Sequence, residues 1–191
     1  MIFVSINPFA LKRFFLFFLA AIGFSCLSCF GQSIFLSVKS TPYDRQMARI
    51  RPTLIEPAKS SNDVSLGMVD LWIGRLRSIP YGFTREWKTP AETEASEVAD
   101  CKAKSVALYE MMHSRGATDV RLIIGRRFVT SRSTHAWLEW DTPNGSYVLD
   151  PTLNWKAVRT SEFKRDSYIP YYAYRGADRY RAEQVALVAQ N

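Results

Sequence analysis

From residue 66 onward, apolar residues recur with a helical period. The apolar positions are Leu66, Val69, Trp72, Ile73 and Leu76, with charged residues between them. Spacings of three and four residues predict an amphipathic helix that buries this stripe against the core. Ile79-Pro80 ends the predicted helix, because proline lacks a backbone donor and clashes with the preceding turn.

Two more helices are predicted from their start signals. Thr89-Pro90-Ala91-Glu92 combines an N-cap, a proline at the first helical position and a glutamate three residues after the cap, which is a capping box. Asp100 is the expected N-cap of a longer helix that runs to about Arg115 and stops at Gly116. The many apolar residues of this helix predict burial over much of its circumference.

Beyond Gly116 the apolar period shortens to that of strands. Residues 120–124 are predicted as one strand, continued by 128–129, and residues 134–140 and 146–150 as the arms of a β-hairpin. The tyrosine-rich tail is expected to pack back on the domain. Helices followed by an antiparallel sheet indicate an α+β fold.

The N-terminal segment, residues 1–31, has the pattern of an export signal. Lys12 and Arg13 precede an uncharged apolar run, and small residues follow it. Because no charge appears again until Lys39, the run is also long enough to span a bilayer, so a retained membrane anchor stays an alternative. In both cases we expect the domain to act outside the cytoplasm, in the periplasm or anchored to the membrane.

The rest of the chain divides into a connector and one domain. Residues 32–61 are rich in proline, serine and charge without a sustained period, so we interpret them as a connector. A chain of 191 residues with 47% hydrophobic content suits one domain, expected at 62–185, plus a leader. The net charge of +7 comes from basic residues interspersed with acidic ones, which argues against a nucleic-acid partner.

Cysteine usage narrows the possible chemistry. The chain has three cysteines, and because Cys26 and Cys29 lie in the leader, a processed protein keeps Cys101 alone. A lone cysteine in an exported protein is either a buried passenger or a thiol kept free for reaction. Cys101 begins a predicted helix, where free backbone N–H groups and the helix dipole favour a thiolate and can stabilise an oxyanion.

The candidate base follows by elimination. The chain has two histidines, and His113 lies in the same predicted helix as Cys101, roughly 18 Å away at the helical rise. His135, at the start of a predicted strand, is the histidine that remains. Two histidines and one cysteine also argue against a zinc site.

Asp150 is the candidate for orienting the imidazole, and the hairpin register decides whether it can do so. A four-residue loop at 141–144 sets His135 directly opposite Asp150, with their Cβ atoms roughly 5 Å apart. A two-residue loop at 144–145 sets Glu139 there instead and leaves His135 roughly 13 Å away. We predict the longer loop, which completes a Cys-His-Asp triad.

Three sequence blocks resemble the core of the transglutaminase-like superfamily. They are Asp100-Cys101, His135-Ala136-Trp137 and Tyr147-Val148-Leu149-Asp150-Pro151-Thr152. Upstream, Ile79-Pro80-Tyr81 and residues 87–92 resemble the bacterial transglutaminase-like cysteine peptidases. The resemblance covers about residues 63–152, and the blocks in this order are more specific than any one alone.

The resemblance implies a papain-like α+β fold, with the cysteine opening a helix and the histidine and aspartate on neighbouring strands. It also implies acyl transfer through a thioester, and some bacterial members cleave periplasmic segments of membrane-linked adhesins. Family sites often carry an acidic residue after the cysteine that helps to bind calcium, whereas this chain has Lys102, so no cofactor is expected. Trp87 and Trp137 are candidates for lining the substrate cleft, with core packing as the alternative for Trp87.

The function expected from these residues is that of an exported cysteine peptidase acting on a protein or peptide of the cell envelope. An amine in place of water would make the enzyme a protein-glutamine transamidase, since both reactions pass through the same acyl-enzyme. A non-catalytic module that holds a peptide or a wall polymer in the same cleft is a third alternative. A retained N-terminal segment would add membrane association.

Overall fold

A computed structural model describes residues 33–58 and 64–183 of the chain. The predicted export signal or membrane anchor at 1–31 lies outside these residues. In the two described ranges, no helix combines the length and the apolar character needed to cross a membrane.

Three of the helices begin and end close to the predicted positions, and two further short ones were not predicted. In the described chain they are α1 Arg51–Ile55, α2 Leu66–Ser78, α3 Pro90–Glu94 and α4 Cys101–His113, and a short 3-10 helix follows at Thr160–Glu162. The capping box at Thr89 forms both of its hydrogen bonds. Asp100 caps α4 as predicted. The predictions of α2, α3 and α4 are therefore confirmed.

Seven strands of the described ranges form one antiparallel sheet. They are β1 Ile34–Ser37, β2 Val120–Phe128, β3 His135–Thr142, β4 Gly145–Leu149, β5 Val158–Arg159, β6 Ser167–Arg175 and β7 Asp178–Glu183. Their order across the sheet is β1-β7-β6-β2-β3-β4-β5. The predicted α+β class is confirmed.

The core lies between α4 and one face of the sheet. α4 packs against β2 and β3 and is contacted by the other three helices. Because side chains alternate between the faces of a strand, Leu122 and Leu138 join the α4 core, whereas Ile123 and Trp137 join a smaller cluster on the opposite face. The start of β3 is thus held by packing on both faces of the sheet.

The segment predicted as a connector, 32–61, contributes to the folded unit. Its strand β1 pairs with β7, and Met47, Ile50 and Leu54 around α1 are at most 3% exposed. Both elements are too short to show a period in the sequence. The proline in α1 lies in its first turn, where it is compatible with a helix, so the proline content that indicated a connector was misleading.

The turn between β3 and β4 differs from the predicted one. Thr142 pairs with Gly145, so the loop is Pro143-Asn144 rather than the four residues 141–144. Gly145 takes a φ of 122°, and Thr142 Oγ1 donates to its carbonyl at 2.9 Å. The predicted register is wrong by two positions, which moves residues along the strand but keeps each side chain on its face.

Candidate active site

Cys101 is the first residue of α4. The Asp100 carboxylate caps this helix by accepting the Ala103 N–H at 3.0 Å. The thiol is free, and the residue is buried with 8% exposed. Backbone N–H groups in the first turn of a helix lack intrahelical partners, so this position favours a negative charge on the sulfur.

His135 is the first residue of β3, and its imidazole meets both other residues of the predicted triad. Nε2 lies 2.7 Å from Asp150 Oδ2. The Cys101 side chain is a second polar partner near the ring, and it contributes to the raised pKa of His135. Since Nε2 faces the carboxylate, Nδ1 is the ring nitrogen that remains for the thiol.

Asp150 reaches the imidazole in spite of the shifted hairpin register. It directly follows β4, and continuation of the observed pairing places it opposite Trp137, two residues along β3 from His135. Diagonal neighbours on one face lie within reach of long side chains. The predicted contact is therefore formed through a diagonal pair instead of a direct one.

The pKa of His135 is raised to about 9. Burial by itself would lower this pKa, because it disfavours the charged ring. Hydrogen bonds to Asp150 and Cys101, together with their negative charges, outweigh the effect of burial. This environment favours a protonated imidazole beside Cys101 at neutral pH.

Asp150 is fully buried and accepts four hydrogen bonds. Oδ1 accepts the backbone N–H groups of Thr152 at 2.9 Å and Leu153 at 3.1 Å. Oδ2 accepts from His135 and from the Tyr168 hydroxyl, the latter at 2.9 Å. Burial would raise the pKa of Asp150, but these donors and the charge of His135 lower it, so the group stays ionised.

Tyr168 is a site residue that the sequence does not reveal. Its backbone has a φ of 51°, and Asn154 Nδ2 donates to its hydroxyl oxygen at 3.1 Å. Its ring lies 5.3 Å from that of Trp137, and the Arg127 guanidinium lies 4.0 Å from its centre. Burial raises the pKa of Tyr168, which keeps the hydroxyl protonated as a donor. Among the tyrosines of the tail, only the fold distinguishes this one.

A second buried aspartate, Asp100, lies next to Cys101 in the chain. Its Oδ2 accepts the Thr84 N–H and hydroxyl, each at 3.2 Å, and the ammonium of Lys102. Lys102 Nζ also donates to the Thr84 carbonyl at 2.9 Å. The sequence marked Lys102 as unusual but gave no sign of its contact with Thr84.

The two tryptophans predicted to line a cleft are both buried. Trp87 is 2% exposed and belongs to the core around α4, which is the alternative considered for it. Trp137 is 0% exposed and packs on His135, with ring centres 6.0 Å apart and planes 22° apart. Neither side chain presents surface to a substrate here, and Trp137 instead supports the imidazole.

The fold is similar to that of LapG from Legionella pneumophila. An EGTA-treated LapG structure matches with a TM-score of 0.55 at 16% identity, over 75% of this chain and 80% of LapG. A second LapG structure gives 0.54 at 16% identity over 76% and 83%, and a calcium-bound one gives 0.43 at 17% over 78% and 76%. No family model and no curated protein matches the chain. The first two similarities show the papain-like, transglutaminase-like α+β fold that the sequence blocks imply.

Proposed function

We propose that this chain is an exported cysteine peptidase. In this proposal Cys101 is the nucleophile, His135 is the general base and acid, and Asp150 orients the imidazole. The observation that carries the proposal is the chain of contacts from thiol to imidazole to carboxylate, made by residues from three separate parts of the sequence. Nucleophilic catalysis by cysteine requires this order of contacts.

Acylation starts from the thiolate–imidazolium pair. The Cys101 sulfur attacks the peptide carbonyl carbon, and the displaced electron pair moves to the carbonyl oxygen, where backbone N–H groups at the start of α4 stabilise it. Collapse of this intermediate breaks the C–N bond, and the His135 imidazolium gives its proton to the leaving amine. Asp150 stays ionised and stabilises the imidazolium before the transfer.

Deacylation returns the site to its starting state. The neutral His135 takes a proton from water, which attacks the thioester carbon, and cleavage of the C–S bond releases a carboxylic acid and the thiolate. An amine in place of water would form a new amide. The proposed peptidase and a protein-glutamine transamidase therefore differ in the molecule that attacks the thioester, which is water in the first and an amine in the second.

The proposed substrate is a protein or peptide of the cell envelope. The basic and then apolar pattern of residues 1–31 supports export, and its retention would attach the domain to a membrane. The blocks that resemble bacterial transglutaminase-like cysteine peptidases support a polypeptide substrate.

We propose that the reaction needs no bound calcium. Calcium takes about six to eight oxygen ligands, often from several carboxylates. Throughout residues 33–58 and 64–183, no three His, Cys, Asp or Glu side chains are grouped as ligands for a metal ion. The Asp100 carboxylate beside Cys101 already accepts from Ala103, Thr84 and Lys102. The donor set at the start of α4 does not fit a divalent cation.

Thiol alkylation tests the proposed roles without knowledge of the substrate. Iodoacetamide should label Cys101 rapidly at neutral pH, because the neighbouring imidazolium stabilises the thiolate. His135→Ala should slow labelling by about 10- to 100-fold. The matched variant His113→Ala, at the last residue of α4, should leave the rate unchanged. Equally slow labelling of all three proteins would favour a binding module or an inert buried thiol.

Comparative proteomics of the envelope tests the reaction and identifies its target. New protein termini in cells with the wild-type protein, absent with Cys101→Ala, would support the peptidase. New glutamine–lysine cross-links would support the transamidase instead. A proteome that does not depend on Cys101 would remove the enzymatic proposal.

A further inference from the structure

The ammonium of Lys102 occupies a cation-binding arrangement of three groups. These are the Asp100 carboxylate, the Thr84 carbonyl oxygen at 2.9 Å, and the Phe83 ring, whose centre is 5.0 Å from Nζ. A carboxylate, a carbonyl oxygen and an aromatic face each attract a positive charge. The Lys102 side chain is only 16% exposed, so these contacts are largely shielded from water.

Asp100 supplies the negative charge of this arrangement. Its side chain is 0% exposed, and a buried carboxylate needs both hydrogen-bond donors and a counter-charge. Ala103 and Thr84 provide neutral donors, and Lys102 provides the positive charge. Removal of that charge would leave the carboxylate with neutral donors alone.

The loop that Lys102 holds, residues 81–88, is also fixed to the chain just before α4. The Ala99 N–H donates to the Pro80 carbonyl at 3.0 Å, and the Gly82 N–H donates to the Ala99 carbonyl at 3.4 Å. Thr84 donates twice to the Asp100 carboxylate, and Lys102 adds a bond from the first turn of α4 to the Thr84 carbonyl. The start of the loop is thereby held against the helix that carries the proposed nucleophile.

This loop presents exposed aromatic side chains beside the proposed nucleophile. Tyr81 and Phe83 are 59% and 72% exposed. Partial burial and then the nearby Cys101 raise the pKa of Tyr81, which is consistent with a ring close to the sulfur. Exposed apolar side chains next to a reactive group are suited to contact a substrate. The loop therefore forms one wall of the candidate site.

We propose that Lys102 is a positioning residue whose ammonium serves as a built-in cation, fastening the 81–88 loop to the start of α4. A covalently attached cation is always in place, so this wall needs no divalent ion. The inference deepens the proposed function, because it identifies what holds a substrate-facing wall next to Cys101. It depends on the proposed function only in treating the 81–88 loop as a wall that faces the substrate.

Lys102→Met tests the fastening, since methionine keeps an unbranched apolar stem and removes the charge. Amides of residues 82–86 should exchange hydrogen about 10-fold faster, because the loop opens more often. The melting temperature should fall by about 5 °C, as the carboxylate loses its counter-charge. The control is Lys156→Met, an exposed lysine outside this cluster, which should change neither value. Wild-type exchange rates in Lys102→Met would overturn the proposal.

Lys102→Asp tests whether the ammonium stands in a cation position. The change would place a second carboxylate beside Asp100 and the Thr84 carbonyl, and these are oxygen ligands that calcium prefers. Millimolar calcium chloride should restore loop protection and melting temperature in this variant, and EGTA should remove the effect. The wild type and Lys102→Met should respond to neither. Stabilisation of the wild type by calcium, or an unresponsive Lys102→Asp, would overturn the proposal.

Both measurements are made in a Cys101→Ala background, where the proposed reaction does not occur. Unchanged loop exchange together with rapid, His135-dependent alkylation in the parent protein would remove the role of Lys102 and leave the peptidase proposal. Calcium-dependent protection of Lys102→Asp together with an unreactive thiol would support the role of Lys102 and remove the peptidase proposal.

Discussion

Two buried aspartates accompany the proposed nucleophile, and their charges are balanced in different ways. Asp150 and Asp100 are both 0% exposed. Asp150 pairs with the His135 imidazole and a tyrosine hydroxyl, whereas Asp100 pairs with the ammonium of Lys102. An imidazole exchanges protons near neutral pH, while an ammonium stays charged. The partner therefore decides whether a buried carboxylate supports proton transfer or holds a fixed geometry.

The largest expected difference between the two aspartates is in the turnover rate after each loses its charge. Asp150→Asn should reduce turnover by about 10³- to 10⁴-fold, because the imidazolium loses its anion and the ring its orientation. The pKa of His135 should also fall, because burial lowers it and the charge of Asp150 would no longer oppose that effect. The pH profile of Cys101 alkylation measures this fall, and turnover of a peptide or thioester substrate measures the rate.

Neutralising Asp100 should instead reduce stability. Asp100→Asn keeps an oxygen to cap α4 but leaves Lys102 without its counter-charge, which should cost about 3 kcal/mol of unfolding free energy in urea titrations. The rate should fall by less than about 10-fold, since the proton-transfer pair is intact. If the two aspartate variants lose rate and stability in the same proportions, the distinction between them does not hold.

The imidazole partner also predicts a pH dependence of stability. The pKa of His135 is about 9 in the folded protein, above its ordinary value of 6.5. Its contribution is therefore fully present below about pH 6.5 and is lost as the pH rises through about 9, a decline of about 3 kcal/mol. Urea unfolding at a series of pH values measures the decline. His135→Gln should flatten the curve in this window, and an unaltered slope would contradict the assignment.

The smallest expected effect is that of the Tyr168 hydroxyl. Tyr168→Phe keeps the ring against Trp137 and removes one donor to Asp150. We expect kcat to fall by about 10-fold with KM unchanged, in line with the loss of one hydrogen bond to a charged group. Tyr180→Phe on β7, which does not contact Asp150, is the control. A rise in KM with kcat unchanged would assign Tyr168 to substrate binding instead.

Local signals explain why much of the fold could be predicted from the sequence. α2, α3 and α4 each have an apolar stripe or a cap within a few residues of their own start. Cys101 and His135 could be chosen as candidates because the chain offers few alternatives, with one cysteine after residue 31 and two histidines. Asp150 was assigned with an incorrect register. The prediction still put its side chain on the correct face of the sheet, because a shift of two residues preserves side-chain alternation.

The features that escaped prediction depend on contacts between distant residues. The pairing of β1 with β7 joins the two ends of the described fold, and no local pattern encodes it. The contact of Tyr168 with Asp150 depends on the pairing of β6 with β2, which brings distant parts of the chain together. The burial of Trp137 likewise follows from packing on the second face of the sheet, which sequence blocks alone do not distinguish from an open cleft.

The position of β1 determines where any preceding segment joins the fold. β1 is an outer strand, and β3, which carries His135, is the fourth strand along from it in the sheet. At about 4.8 Å per strand, that is a lateral offset of roughly 19 Å. A segment attached at residue 33 would thus join the sheet at its outer edge, away from the strand that carries His135.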